Sequence, residues 1–449
     1  MEIKIENLGP IASGKLDLSK DLIVFTGPNN SGKSYLAYLI YGLYKIGELH
    51  ERYEVATKFE SALQIEDTDL SVFDLRKAIL NNYQLFFKLI NETITPRLML
   101  EIFSSRKIIP SVKITQPSQI NFSQDGVARI EFKNEEAWSV SKQGNLKLIQ
   151  KGLSFAERQA FIKSQLSYYL FKLLLPSAIY FFPAERTAIN FLAKEIFRER
   201  SVKLDKLSHS LILSKPKSIL EILDKENIEK YLVPRYPLAI HDYLYFVNDL
   251  ANLSKNESEF ANFADEIENL LLQGQIAISG YGNIEFIPQN SQQTLELPIS
   301  SSLIKSLSSL VFYFRHMAQP NDIIMIDEPE LNLHPNNQRM VARIFAKAVN
   351  KGFKVILSTH SDYIIKELNN LIMLNKSAIT DLATISADYG YEIDSILDKN
   401  KVGAYWFGNN TIEPIEVADT GFSVKTIDAT IDQLDNTTEN LYYQLFETA

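Results

Sequence analysis

The stretch Gly27-Pro28-Asn29-Asn30-Ser31-Gly32-Lys33-Ser34 restricts what this chain can fold into more than any other. It satisfies G-x-x-x-x-G-K-[ST] and lies between an apolar run, Asp21 to Thr26, and a segment, Lys33 to Tyr44, that is apolar nearly all round. The run reads as a strand covered on both faces, and the segment as a buried helix. A strand feeding a glycine loop that opens a helix turns backbone N–H groups inward, where the helix dipole adds positive potential. Gly27 and Gly32 permit the path that Pro28, Asn29, Asn30 and Ser31 take around a phosphate chain. Lys33 then reaches the β- and γ-phosphates, and the Ser34 hydroxyl enters the shell of a Mg²⁺ ion. The ligands this loop implies are ATP and Mg²⁺.

A second apolar run, Ile323 to Ile326, ends in Asp327-Glu328. A buried strand delivers its last residue to the crevice at the carboxyl edge of a parallel sheet. There Asp327 would hold Mg²⁺, and Glu328 would polarise an attacking water as general base. His360 follows Glu328 by 32 residues, just past a strand expected at Lys354 to Leu357. One βα unit between them brings both to the same sheet edge, where the imidazole can hydrogen-bond the γ-phosphate. His334, in Leu333-His334-Pro335, reads as a loop residue at a subunit seam and not as a catalyst. The serine run Ser300-Ser301-Ser302 precedes a helix stripe of Leu303, Leu307, Leu310, Val311 and Phe314. Ser301 and Ser302 can cap that helix and donate to phosphate.

These motifs, in this order, resemble the ABC-type ATPase heads of the SMC/RecF/OLD (overcoming-lysogenisation-defect) superfamily. Residues 1 to about 45 and Leu297 to about Leu374 carry the resemblance, with Asp327 to Pro335 matching the Walker B and D-loop stretch and His360 the switch histidine. The resemblance implies an α/β fold with a mixed, largely parallel sheet flanked by helices, an antiparallel β layer and a helical insertion. It implies a homodimer or higher oligomer in which two copies sandwich ATP, the loop of one facing the signature serines of the other. Phe181-Phe182-Pro183-Ala184-Glu185-Arg186 resembles the segment near the Q-loop, which implies Arg186 beside the nucleotide. The chain departs from the family where the signature glycine belongs, a position occupied by Leu303, and slow hydrolysis of ATP to ADP and phosphate is expected.

On that reading residues 1–48 and 275–380, with parts of 105–190, form the ATPase core. Residues 49–104 and 190–274 form a helical insertion, and 381–449 an acidic C-terminal β/α extension. Strand-like sequence between Lys107 and Gln150 is expected to form the antiparallel layer. Leu238 to Gln273 reads as a helical hairpin packed on the body; its heptad spacing is too short for an SMC arm. The tail lacks the acidic and histidine clusters of an OLD-type nuclease. A head without arms or nuclease resembles the standalone ATPase subunits of anti-phage systems such as PARIS or Septu. That implies a sensor and scaffold controlling a separately encoded effector, a nuclease or toxin, in response to a phage trigger. Two alternatives stand beside it: a RecF-like repair ATPase that binds DNA directly, and an ATP-dependent assembly platform that does not hydrolyse.

Charge bears on those alternatives. From Asp381 onward thirteen acidic residues face three lysines, a net of −10 against −9 for the whole chain, so the rest carries +1. Bulk attraction to nucleic acid is therefore weak, and any contact must use a local patch such as the basic run Arg198 to Lys217. The absence of cysteine excludes disulfides and thiolate zinc sites and fits a reducing cytoplasm. No apolar run is long enough to span a bilayer, so no membrane partner is expected.

Overall fold

The computed structural model describes residues 2–46, 50–63, 72–115, 127–133, 136–141, 145–174, 178–198, 236–291, 293–375 and 382–446. Three apolar runs explain its centre. Strands β3 (Leu22–Thr26), β13 (Ile323–Asp327) and β14 (Lys354–Ser358) are buried along almost their whole length, and they pair in parallel in the order β3-β14-β13. Their side chains alternate between two cores. Leu22, Val24, Ile324, Ile326, Val355 and Leu357 enter one, and Ile23, Phe25, Ile323, Met325 and Ile356 enter the other. A strand that must be apolar on both faces requires helices above and below the sheet.

The helices supply that cover. Helix Lys33–Lys45 packs on one face with His50–Ala62, Leu75–Thr93 and Pro96–Phe103. The other face holds Ser302–His316, Pro335–Asn350 and Asp362–Met373. Helices Leu238–Asn248 and Ala261–Ile267 also join this second core, through Tyr243, Phe263 and Ile267. The ring of Phe263 lies 4.8 Å from Phe314, so this region is packed on the body and forms no projecting arm.

The nine-stranded sheet runs β5-β1-β2-β16-β15-β3-β14-β13-β9. Here β1 is Glu2–Leu8, β2 Ile11–Asp17, β5 Ser111–Thr115, β9 Ile179–Phe182, β15 Val402–Gly408 and β16 Thr411–Ile415. Five neighbouring strands, β15 to β9, are parallel, and β1, β2 and β5 pair antiparallel at one side. This is the mixed α/β sheet expected from sequence.

Two expectations need correction. Residues 402–415 are no appended extension: β15 pairs with β3 and β16 with β2, so the C-terminal strands fill the middle of the core sheet. The strand-like region 107–150 does not make one layer either. Strand β5 adds to the main sheet, whereas β6 (Val127–Lys133), β7 (Glu136–Ser141) and β8 (Leu146–Gln150) form a separate antiparallel sheet with β4 (Val72–Asp74). The residues expected as helical insertion thus also contribute a strand. A third sheet joins β10 (Gly274–Ile278), β11 (Ile284–Pro288) and β12 (Leu295–Glu296), with the expected turn at Gly280 to Asn283. The C-terminal helix Lys425–Phe446 exposes Leu434, Leu441 and Leu445. The basic run lies outside the described residues except Arg198, which is exposed. No described helix is long and apolar enough to cross a membrane.

Candidate nucleotide site

The loop after β3 takes a path that side chains would obstruct. Gly27 has φ 142°, and a Cβ there would meet the Phe407 carbonyl oxygen of β15 at 2.2 Å. Gly32 has φ 100° and sits against Ile11. Between them Pro28, Asn29 and Asn30 are exposed on the crest of the loop, and Ser31 lies half-buried beside Gly32. Lys33 is buried beneath it. Its Nζ donates to the carbonyls of Gly27 at 3.1 Å and Pro28 at 2.9 Å, and reaches Ser31 Oγ at 3.4 Å. Burial lowers the ammonium pKa, and Asp327, Glu328 and Glu330 offset that loss. The cation is thus held under the loop by weak neutral acceptors that a phosphate oxygen can replace.

The parallel register gathers the remaining groups. Asp327 ends β13 directly opposite Ser358, which ends β14. Ser34 Oγ donates to Asp327 Oδ2 at 2.8 Å, and Ser358 Oγ donates to Oδ1. A hydroxyl and a carboxylate thus converge from β13 and the loop helix, the hard oxygen donors that Mg²⁺ takes. The residues present therefore fit the ion, which Ser34 and Asp327 would hold.

Glu328 is unusual in its backbone. Its φ is 47°, in the left-handed region, which costs a non-glycine residue of order 1–3 kcal/mol. Its N–H donates to the Ser358 carbonyl at 3.0 Å. Its carboxylate, pushed up by burial and then by Asp327, faces His360 Nε2 at 3.8 Å. Burial and then the Lys33 charge lower the His360 pKa, which keeps the imidazole neutral at pH 7. Glu330, also raised by burial, accepts the His360 backbone N–H at 2.6 Å and so fixes the turn that presents the imidazole.

The serine run does what capping chemistry requires. Ser301 is the N-cap of Ser302–His316 and accepts from the Ile304 N–H at 3.4 Å. Ser302 Oγ donates to the Asn332 carbonyl at 2.9 Å, tying the helix start to the turn after Asp327-Glu328. Both serines are exposed, whereas Ser300 is buried and bonds Glu296. His334 caps Pro335–Asn350, its Nδ1 accepting from Asn336 at 3.3 Å, and takes no part in the carboxylate cluster.

Arg186 is placed otherwise than the sequence reading has it. It is 1% exposed, and its guanidinium donates to backbone carbonyls and one serine hydroxyl on three segments of its own chain. No donor remains for a nucleotide. Lys33, Ser34, Asp327, Glu328 and His360 come together, and Arg186 supports them from behind. The Ser358 hydroxyl and the Glu330 carboxylate complete the cluster, the first brought in by the register between β13 and β14 and the second by the turn after Glu328.

A phosphate loop after β3, a carboxylate pair at the end of β13 and a histidine after β14, the strand between them, define a P-loop nucleoside triphosphatase domain. The chain belongs to the AAA ATPase domain family (AAA_15), whose model matches residues 1–365. No curated protein matches it. Among solved structures it is similar to the Smc head domain with an extended coiled coil, bound to the C-terminal domain of ScpA, from Pyrococcus furiosus. That likeness has 12% identity and a TM-score of 0.33, over 97% of this chain and 98% of the other. A second likeness, to an Smc head bound to the C-winged helix domain of ScpA, has 12% identity and a TM-score of 0.34, over 92% and 96%.

Proposed function

We propose that this protein hydrolyses ATP with Mg²⁺ at sites shared between two copies, as an ABC-type head does. The observation that carries the reading is the convergence of Ser34 and Ser358 on the Asp327 carboxylate, with Lys33 below and Glu328 and His360 alongside. The loop amides and Lys33 bind the triphosphate. Glu328 accepts a proton from water as its oxygen attacks the γ-phosphorus, and the electron pair of the β–γ bridge leaves with ADP. Its raised pKa makes the carboxylate a better base than a solvated glutamate. His360 remains neutral and offers Nε2 to the γ-phosphate side, so it registers whether that group is present. Bound Mg²⁺ supplies charge neutralisation across the phosphate oxygens.

The exposed cap Ser301 and its neighbour Ser302 are the groups we assign to the partner copy's γ-phosphate. Leu303 in place of the family's glycine makes turnover slow. ATP closes the pair and hydrolysis opens it, so nucleotide state is the switch. We extend the reading to control of a separately encoded nuclease or toxin in anti-phage defence. The support for that extension is the resemblance of the motif set to standalone defence ATPases, an analogy of family.

The test is steady-state phosphate release together with mass measurement. Lys33→Ala should lose ATP binding and turnover. Glu328→Gln should retain ATP and accumulate as a closed dimer with turnover reduced by roughly a thousandfold. A Glu328→Gln protein that turns over normally removes the base assignment. Loss of phage protection in Lys33→Ala, and a partner protein that copurifies, test the defence role.

A further inference from the structure

We propose that Arg186 is the positioning residue that holds the Glu328 backbone in its left-handed conformation and couples it to the helix bearing Ser301 and Ser302. The proposal rests on the hydrolytic reading of Glu328. A non-glycine residue at φ 47° persists only where its surroundings over-determine it. On one side Glu328 is held by its N–H bond to the Ser358 carbonyl. On the other, three consecutive carbonyls turn toward one guanidinium. Arg186 Nη1 donates to Asp327 O at 2.9 Å, and Nη2 to Glu328 O at 3.0 Å and Pro329 O at 3.4 Å. Only a tight kink at Glu328 lets three successive carbonyls share a single group.

The remaining donors define what the kink is fastened to. Arg186 Nε bonds the Ser306 carbonyl at 3.1 Å, Nη2 bonds Ser306 Oγ at 2.8 Å, and Nη1 bonds Pro183 O at 3.1 Å. Ser306 lies one turn into Ser302–His316, the helix whose exposed start carries the capping serines. Asn190 and Tyr243 continue the same seam. Asn190 Nδ2 bonds Lys305 O at 3.1 Å, and the Tyr243 hydroxyl donates to Asn190 Oδ1 and accepts from Ser309 Oγ, both at 2.7 Å. Burying a full charge is unfavourable unless its hydrogen-bonding capacity is met. Here carbonyls and a hydroxyl meet it, and among the described residues no carboxylate pairs with it. Burial lowers the guanidinium pKa, and the negative potential of Glu330, Asp327 and Glu328 opposes that loss.

A planar fork of five N–H groups suits this role, and an ammonium with three donors does not. When the serine helix moves against a partner's nucleotide, the guanidinium plane moves with it, and so does the carbonyl of the catalytic glutamate. The same chain's hydrolytic site thereby senses its neighbour's.

Arg186→Lys, which keeps charge and stem, is the test. Turnover should fall on the order of a hundredfold, as a misplaced catalytic group does. The dissociation constant for Mg·ATP, measured with a fluorescent analogue, should stay within about threefold because the loop is untouched. Turnover within about threefold of wild type overturns the proposal, as does a parallel loss of turnover and affinity. Absence of turnover in the wild type is a different failure: it removes the hydrolytic reading itself. Thermal melting supplies an arm independent of activity. Glycine adopts positive φ freely, so Arg186→Lys should lower the melting temperature less in a Glu328→Gly background than in wild type. Equal losses, or failure of the lysine variant to fold in both backgrounds, reduce Arg186 to packing and overturn the assignment.

Discussion

Glu328 combines a strained backbone with a carboxylate crowded by burial and by Asp327, and the crowding bears on pH. As the proposed base, Glu328 would work only when ionised. The acidic limb of kcat/KM should therefore lie above the ordinary glutamate value of 4.5, and a profile flat down to that value would contradict the assignment. Stability runs the opposite way. A carboxylate whose folded pKa is raised contributes fully below its unfolded pKa and loses that contribution as pH rises through the folded value. Nucleotide-free Glu328→Gln should accordingly melt roughly 1–3 °C above wild type at pH 8, the difference vanishing near pH 4. Differential scanning fluorimetry across that range checks the sign. Lys33, Ser34, Asp327, Glu328 and His360 were legible in sequence because each belongs to a short local motif. Ser358 and Glu330 were not, since a serine in a strand or a glutamate in a turn is uninformative until register sets its neighbour. Arg186 was legible as belonging near the site, but nothing in Phe182-Pro183-Ala184-Glu185-Arg186 specifies which way its donors face.

On the shared-site reading, the helix Ser302–His316 is the element on which cooperation between copies would depend. Its apolar stripe was readable from spacing, and its buried Ser306, Ser308 and Ser309 were not, because polar residues on an apolar face signal nothing without their partners. The shared-site reading makes a sharp demand of this helix. In a mixed dimer of Lys33→Ala with Ser301→Ala/Ser302→Ala, both lesions fall in one site and leave the other whole. Equal mixing should restore about a quarter of wild-type turnover, since half the symmetric pairs become mixed and each keeps one intact site. Mixtures no more active than their parents would mean that the serines serve their own chain. The bond from Ser302 to Asn332 joins this helix start to the turn after Glu328.

At the scale of the whole molecule, the surprise is where the C-terminal strands go. Val402–Gly408 and Thr411–Ile415 were recognisable as strands from their own residues, yet their neighbours β3 and β2 lie nearly the whole chain away. Pairing across that separation leaves no local trace, so the tail reads as an appendage. A chain ending before Val402 should lose binding of Mg·ATP and much of its cooperative unfolding, measured by calorimetry; retained tight binding would show the strands to be dispensable. The reason is concrete: Gly27 rests against the Phe407 carbonyl, so the wall behind the phosphate loop is made of residues translated long after it. A ribosome thus delivers the cradle early and its backing late. Until β15 emerges, a nascent copy lacks the Phe407 wall behind Gly27, and unfinished chains are expected to bind Mg·ATP poorly.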